Sequence, residues 1–419
     1  MPPKKKVVSD ETTDTATAPA PKSTSKSAIS DDFTADLINS LNKDIGHRVA
    51  YNLSSDQSPT HVKRWISTGS RQLDYIISNR RNGGLPEGRI IEIFGPPSIG
   101  KSHIATHIAR STQQMGGIVV YIDTENATNP ENLQSLGVDI SKRFVYVDTH
   151  CTEEVFDIAE KTILKAKAVS RNVPITIIWD SVAASSPKAE LEGAYDKDTI
   201  GLQARVISKG MRKITGVIGD QSVLFVCLNQ IRTKIGVLYG DPTAVPGGNA
   251  IPFHSSVRIR LGAGQQIKTN GDNVVGINVS AKTIKNKVGP PFRSANFRII
   301  FGKGIEEHEE LFDLLRETGK VTLDDGTVIN VEGTGSWKYF NVATADGEVI
   351  VDKKFYKVEF RDKVMRDPEA APWFETMLEK VMVKSSVTAA DIDIDPESYE
   401  DVRALADQLS ESGLDVSPE

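Results

Sequence analysis

Residues 95–102 read GPPSIGKS, and no other stretch constrains this chain as tightly. The spacing G-x-x-x-x-G-K-[ST] is that of the phosphate-binding loop of many nucleotide hydrolases. Its glycines let the backbone curl so that successive N–H groups face an anion. Candidate nucleotide ligands are therefore Gly95, Pro96, Pro97, Ser98, Ile99, Gly100, Lys101, Ser102 and the adjoining His103. Lys101 brings a positive charge to the β- and γ-phosphates, and Ser102 offers a hydroxyl to Mg²⁺. The flanks agree. Residues 89–94, RIIEIF, form a β-branched apolar run that predicts a buried strand. Residues 103–114 predict a helix with Ile104 and Ile108 on one face. The loop thus sits at a helix N-terminus, where the macrodipole favours phosphate.

Composition narrows the class. Its 39% hydrophobic and 25% charged residues are ordinary values for a soluble globular protein. No run of 18 apolar residues occurs, so no membrane span is expected. The start, MPPKKKVVSDETT, lacks the apolar core of a secretory signal. Two cysteines, Cys151 and Cys227, suggest neither a disulfide framework nor a zinc site, and a reducing cytoplasmic location fits. The net charge of −6 hides an asymmetry: residues 385–419 carry −9, leaving +3 on the rest. The body of the chain therefore admits a nucleic-acid partner. The acidic tail is either a solubilising end or an internal competitor for a basic surface.

Five segments are expected. Residues 1–30 have the composition of a disordered arm, with Lys4, Lys5 and Lys6 as a basic cluster. Residues 31–64 include an amphipathic helix carrying Phe33, Leu37, Ile38, Leu41 and Ile45, suited to packing on a neighbouring subunit. Residues 65–305 alternate strand and helix patterns, which predicts an α/β core with a mostly parallel sheet. The last strand-like runs there, 256–261, 274–284 and 296–301, lack intervening helices and predict antiparallel pairing. Residues 306–384 form a smaller α+β region with turns at 324–326 and 345–347, and 385–419 are the tail.

A phosphate loop needs partners. Residues 175–181, ITIIWDS, are an apolar strand ending in Asp180, placed to hold Mg²⁺ with Ser102. Residues 121–125, YIDTE, end another strand. If that strand neighbours the loop strand, Glu125 lies beside the phosphates and can activate the attacking water. Residues 224–230, LFVCLNQ, end in Gln230, an amide able to bond a γ-phosphate or its water.

These pieces together resemble the RecA family of strand-exchange recombinases. The matching stretches are ISTGS at 66–70, GGLPEGRIIEIFGPPSIGKS at 83–102, YIDTENA at 121–127 and WDSVAA at 179–184. NQIRTKIGVLYGDP at 229–242, PGGNA at 246–250 and KNKVGPPF at 285–292 complete the set. The extended arm and divergent loops look more like a phage or other divergent member. The resemblance implies ATP and Mg²⁺ as cofactors. It implies a homo-oligomeric helical filament on single-stranded DNA, pairing of that strand with homologous double-stranded DNA, and no membrane role. It matches Glu125 to the catalytic glutamate and Gln230 to the amide that senses the γ-phosphate. Lys285 and Lys287 match lysines that reach the neighbour's ATP. A cation supplied by the next subunit would make hydrolysis depend on assembly.

Two glycine-containing loops, 192–201 and 232–249, are the expected DNA contacts. Arg205, Arg212, Arg232 and Lys234 are candidates for phosphates, with Asn249 closing the second loop. Gly247 and Gly248 permit close backbone approach. Ile200 and Ile235 match positions where the family wedges apolar side chains between bases. Tyr239 either stacks on a base or packs within its loop. Because Gln230 lies two residues before Arg232, bound phosphate and DNA loop share one segment, a plausible switch. The family's adenine-contacting acid and tyrosine are here Asn129 and Asn132, so base stacking by tyrosine is lost. The alternative function is a motor of the same fold, such as a ring helicase or regulatory ATPase.

Overall fold

In the computed structural model the described residues are 31–53, 58, 60–194, 201–233, 243–269 and 271–384. They divide into two units, one ending at His61 and one beginning at Val62. In the first, the chain following helix Asp31–Ile45 folds back onto Asn42, whose carboxamide accepts from Val49 N and Ala50 N and donates to Ala50 O. Phe33, Leu37, Leu41 and Ile45 form an exposed apolar stripe along it.

The second unit is built on a nine-stranded sheet. Across it run Gly304–Glu306, Ser294–Ile300, Val274–Asn286, Val257–Lys268, Ile90–Gly95, Leu224–Gln230, Ile175–Asp180, Ile118–Asp123 and Phe144–Asp148. The six from Val257–Lys268 onward are parallel, and the three before it pair antiparallel. The predicted change of pairing thus falls where the intervening helices stop. Successive side chains on each parallel strand enter opposite cores. Ile91 and Ile93 face helices Arg71–Ser78 and Lys101–Gln114, whereas Ile90, Phe225, Cys227 and Trp179 face helices Thr152–Val169 and Leu202–Gln221. Strands buried on both faces read as continuous apolar runs, which is why 89–94 and 175–180 were legible.

Helix His308–Thr318 and the sheet Lys320–Thr322, Val328–Glu332, Trp337–Ala343 and Val349–Tyr356 follow, closed by helix Ala371–Met382. The turns at 324–326 and 345–347 are present, with Gly326 and Gly347 at positive φ. Phe312, Phe360 and Phe374 meet edge to face in this region, and its core is continuous with one face of the central sheet.

Candidate active site and nucleic-acid interface

The phosphate loop leaves its strand at Gly95, where a Cβ would stand 2.7 Å from the Leu261 carbonyl oxygen. Only glycine fits there. Ser98 and Gly100 then take left-handed φ values of 57° and 95°, which turn the chain into helix Lys101–Gln114. Gly100 brings no side-chain cap, so the first helical N–H groups face the loop's hollow. Lys101 is buried and donates to the carbonyls of Gly95 at 3.2 Å and Pro96 at 2.7 Å. Burial lowers its pKa, and Asp180 and Glu125 oppose that shift.

Strand register delivers the partners. Gly95 lies opposite Gln230 on the neighbouring strand, and Asp123 lies opposite Asp180. Asp180 accepts from Ser102 Oγ at 2.8 Å and Tyr121 Oη at 2.6 Å. Burial raises the Asp180 pKa against those hydrogen bonds. A hydroxyl and a carboxylate held this close are hard oxygen donors that suit Mg²⁺, and a divalent cation would offset the cost of the buried charge.

The expectation for Glu125 needs correction in its route. Its strand does not neighbour the loop strand, because Ile175–Asp180 and Leu224–Gln230 lie between them. Glu125 reaches the site by extension of the chain past Asp123. Thr124 is hydrogen-bonded to the backbone of Asp180 and Ser181, which carries the next residue inward. There the Glu125 carboxylate accepts from Gln230 Nε2 at 3.0 Å and from the Ser181 hydroxyl.

The resulting cavity is about 430 Å³ and is lined by Pro97, Ser98, Gly100, Lys101, Ser102, His103, Glu125, Asp180 and Gln230. Its far wall is Ile277, Ile299 and Phe301, none of which stood out in the sequence. Phe301 is half exposed, and its ring centre lies 6.5 Å from that of His103. The only available signal was an aromatic at a strand end, without any spacing to tie it to the loop. Tyr121, likewise missed, sits two residues before Asp123 on a strand already assigned. Asn129 caps helix Pro130–Ser135, its Oδ1 accepting from Glu131 N and Asn132 N.

Lys285 and Lys287 are not in this cavity. Strand Val274–Asn286 passes it at Ile277 and reaches Lys285 eight residues later, with Lys287 just beyond its end. Lys285 pairs in register with Arg258, itself opposite Glu92, toward the end of the sheet where the loop strand begins rather than where Gly95 ends it. Its ammonium donates to the carbonyls of Pro252 and Phe253, each at 2.8 Å, and burial and then Lys287 lower its pKa.

Arg205 and Arg212 are exposed on helix Leu202–Gln221, one face of which also carries exposed Lys209, a third cation absent from the expectations. Gly247 and Gly248 have φ of 90° and 69°. A Cβ on Gly247 would meet Ile207 at 3.0 Å and Val182 at 3.2 Å, and one on Gly248 would meet Ala204 at 3.0 Å. Asn249 follows at the start of helix Ala250–His254. The backbone of Arg232–Thr233 pairs with Thr243–Ala244, closing the base of the second loop. Ile200, Lys234, Ile235 and Tyr239 lie outside the described residues, as do the N-terminal arm and the acidic tail.

A glycine-rich anion cradle at a helix N-terminus, beside two strand-end carboxylates of an open parallel sheet, defines a nucleotide-binding protein of the phosphate-loop class. The family model of the RecA N-terminal domain matches residues 33–306. Protein RecA of Chlorobaculum parvum is 42% identical over 282 residues, 67% of this chain and 78% of that protein. Protein RecA of Symbiobacterium thermophilum is 36% identical over 345 residues, 81% and 89%. Protein RecA of Staphylococcus aureus (strain JH9) is 40% identical over 275 residues, 66% and 73%. The chain belongs to the RecA family, and its function is recombination and repair of DNA. Nothing in these similarities favours a helicase or regulatory motor. No helix among the described residues is long and apolar enough to cross a membrane.

Proposed function

We propose that the chain hydrolyses ATP in the 430 Å³ cavity, polymerises head to tail on single-stranded DNA, and pairs that strand with a homologous duplex in the cytoplasm. The observation that carries this reading is the separation of Lys285 and Lys287 from their own phosphate loop. Two cations at the far end of the sheet serve a triphosphate only if it is bound by another copy. A head-to-tail contact of that kind is heterologous and propagates into a filament. The exposed stripe on helix Asp31–Ile45 supplies an apolar face for the same assembly.

The geometry supports the following roles. Lys101 exchanges its loop carbonyls for phosphate oxygens, and the uncapped N–H groups after Gly100 hold the anion. Ser102 and Asp180 would hold Mg²⁺, whose charge would offset that of the phosphates. Glu125 orients the attacking water and takes its proton. Gln230, which donates to Glu125, turns to the γ-phosphate and moves the segment leading to Arg232. Arg205, Lys209, Arg212, Arg232 and Lys234 contact DNA phosphates, and Gly247–Asn249 lie close to the strand. The base rests on Phe301, the aromatic surface that remains where Asn132 replaces tyrosine.

Turnover measured with and without single-stranded DNA tests the reading, together with electron microscopy in a non-hydrolysable ATP analogue. Single-stranded DNA should stimulate the wild type, and Lys101→Ala should lose all measurable turnover. A wild type that neither forms filaments nor responds to DNA would refute the proposal.

A further inference from the structure

Glu92 is an acid in the middle of the apolar strand Ile90–Gly95, and its side chain is fully buried. One carboxylate oxygen accepts from Arg258 Nε at 2.5 Å, and the other from Asn229 Nδ2 at 3.2 Å. The Arg258 guanidinium also lies 4.8 Å from the centre of the Phe94 ring. A buried ion pair is a poor source of stability, since well-packed apolar residues of similar volume do as well or better. What it supplies here is a fixed anchor for Asn229. That amide is fully buried, and every contact it makes is directional. Nδ2 donates to Glu92 and, at 3.1 Å, to the carbonyl of Pro246, while Oδ1 accepts from Gln230 N at 3.0 Å. Two acceptors on one side and a donor on the other leave the carboxamide a single orientation.

The three segments that meet at Asn229 are telling. Gln230 is the residue bonded to Glu125, Pro246 immediately precedes the left-handed pair Gly247–Gly248, and Glu92 pairs with Arg258, the register partner of Lys285. The start and the finish of the 232–249 loop are therefore tied by one side chain whose base is a buried carboxylate. We infer that Asn229, held by the Glu92–Arg258 pair, is a positioning residue that transmits the setting of Gln230 to the Pro246–Gly248 end of the DNA loop. A displacement of Gln230 moves its N–H against Asn229 Oδ1, and the same rigid amide carries that displacement to Pro246. Glu92 keeps the amide from simply swivelling.

This inference rests on the proposed function and is tested by a ratio. The affinity for a fluorescent single-stranded oligonucleotide is measured with a non-hydrolysable ATP analogue and again with ADP, for the wild type and for Asn229→Ala. Hydrogen bonds to charged groups are worth enough that the wild-type ratio should shrink by about tenfold in the variant. Affinity for a fluorescent ATP analogue should stay within about twofold, because Asn229 does not line the cavity. A variant that melts at lower temperature yet keeps the wild-type ratio shows a merely structural role and overturns the inference. If Asn229→Ala does not fold, Glu92→Gln, which preserves volume, is measured the same way, and an unchanged ratio again overturns it. A wild type whose DNA affinity ignores the nucleotide refutes the functional proposal instead, so the two failures are distinct.

Discussion

The two ends of the central sheet present different chemistry. At one end the parallel strands stop at Gly95, Asp123, Asp180 and Gln230, and four chain segments converge on one cavity. At the other end the antiparallel strand Val274–Asn286 brings Lys285 against the carbonyls of Pro252 and Phe253, with Lys287 just beyond it. The first end is concave and carries two carboxylates beside the loop. The second is cationic and anchored from behind, where Asn286 donates to the carbonyl of Ile77 at 2.8 Å. Charge complementarity between unlike ends is what a head-to-tail polymer needs, and it suppresses pairing of like ends.

The sharpest way to break this comparison is to damage one end in each of two proteins. Glu125→Gln and the double variant Lys285→Ala, Lys287→Ala should each lose turnover by about 10²-fold or more. Mixed with DNA they should regain a part of it, because some interfaces then join an intact cavity to intact lysines. No recovery on mixing, read by phosphate release, would show that the ends do not complete one another. At the cavity's far wall, Phe301→Ala should weaken ATP binding by about tenfold, the usual worth of an aromatic–base stack. Titration of a fluorescent analogue reads it, and an unchanged affinity would remove Phe301 from the site.

A smaller effect is expected at Gly247→Ala. Its φ of 90° and the 3.0 Å approach to Ile207 cost of order 1–3 kcal/mol of local strain, so oligonucleotide affinity should fall while ATP affinity holds. The smallest effect on turnover belongs to Asp74, on the helix that Asn286 grips. It accepts from Ser67 Oγ, Thr68 N and Thr68 Oγ1, and burial pushes its pKa up from 3.8 to about 7. The folded chain therefore holds a proton that the unfolded chain releases near pH 4, and stability is lost as pH rises from there through about 7. Asp74→Asn keeps the acceptor for Thr68 and should flatten that decline in thermal melts between pH 5 and 8. A decline as steep as the wild type's would assign the pH dependence elsewhere.

Much of the cavity was legible residue by residue. Gly95–Ser102, Asp180 and Gln230 stand at the ends of apolar runs, and polarity at the carboxyl end of a buried strand is a local pattern. Glu125 is expected beside the loop on an assumption of strand adjacency that the sheet order does not meet, since strand order is not written in strand sequence. Ile277, Ile299 and Phe301 were missed because antiparallel strands nearly two hundred residues downstream of the loop carry no spacing that links them to it. Glu92 left a signal that was overlooked, a charged residue inside an otherwise apolar strand, and Asn229 stands beside Gln230 at the end of an apolar run.

Local chemistry alone determined the phosphate loop, its helix, the alternation of strand and helix, and the kinds of side chain available. Those depend on backbone freedom and hydrophobic period, which short stretches encode. Only the tertiary structure decided that Gln230 meets Glu125, that Phe301 lines the cavity, and that Lys285 and Lys287 do not. Such contacts are set by strand order and register, which arise from packing both faces of the whole sheet at once rather than from any one segment.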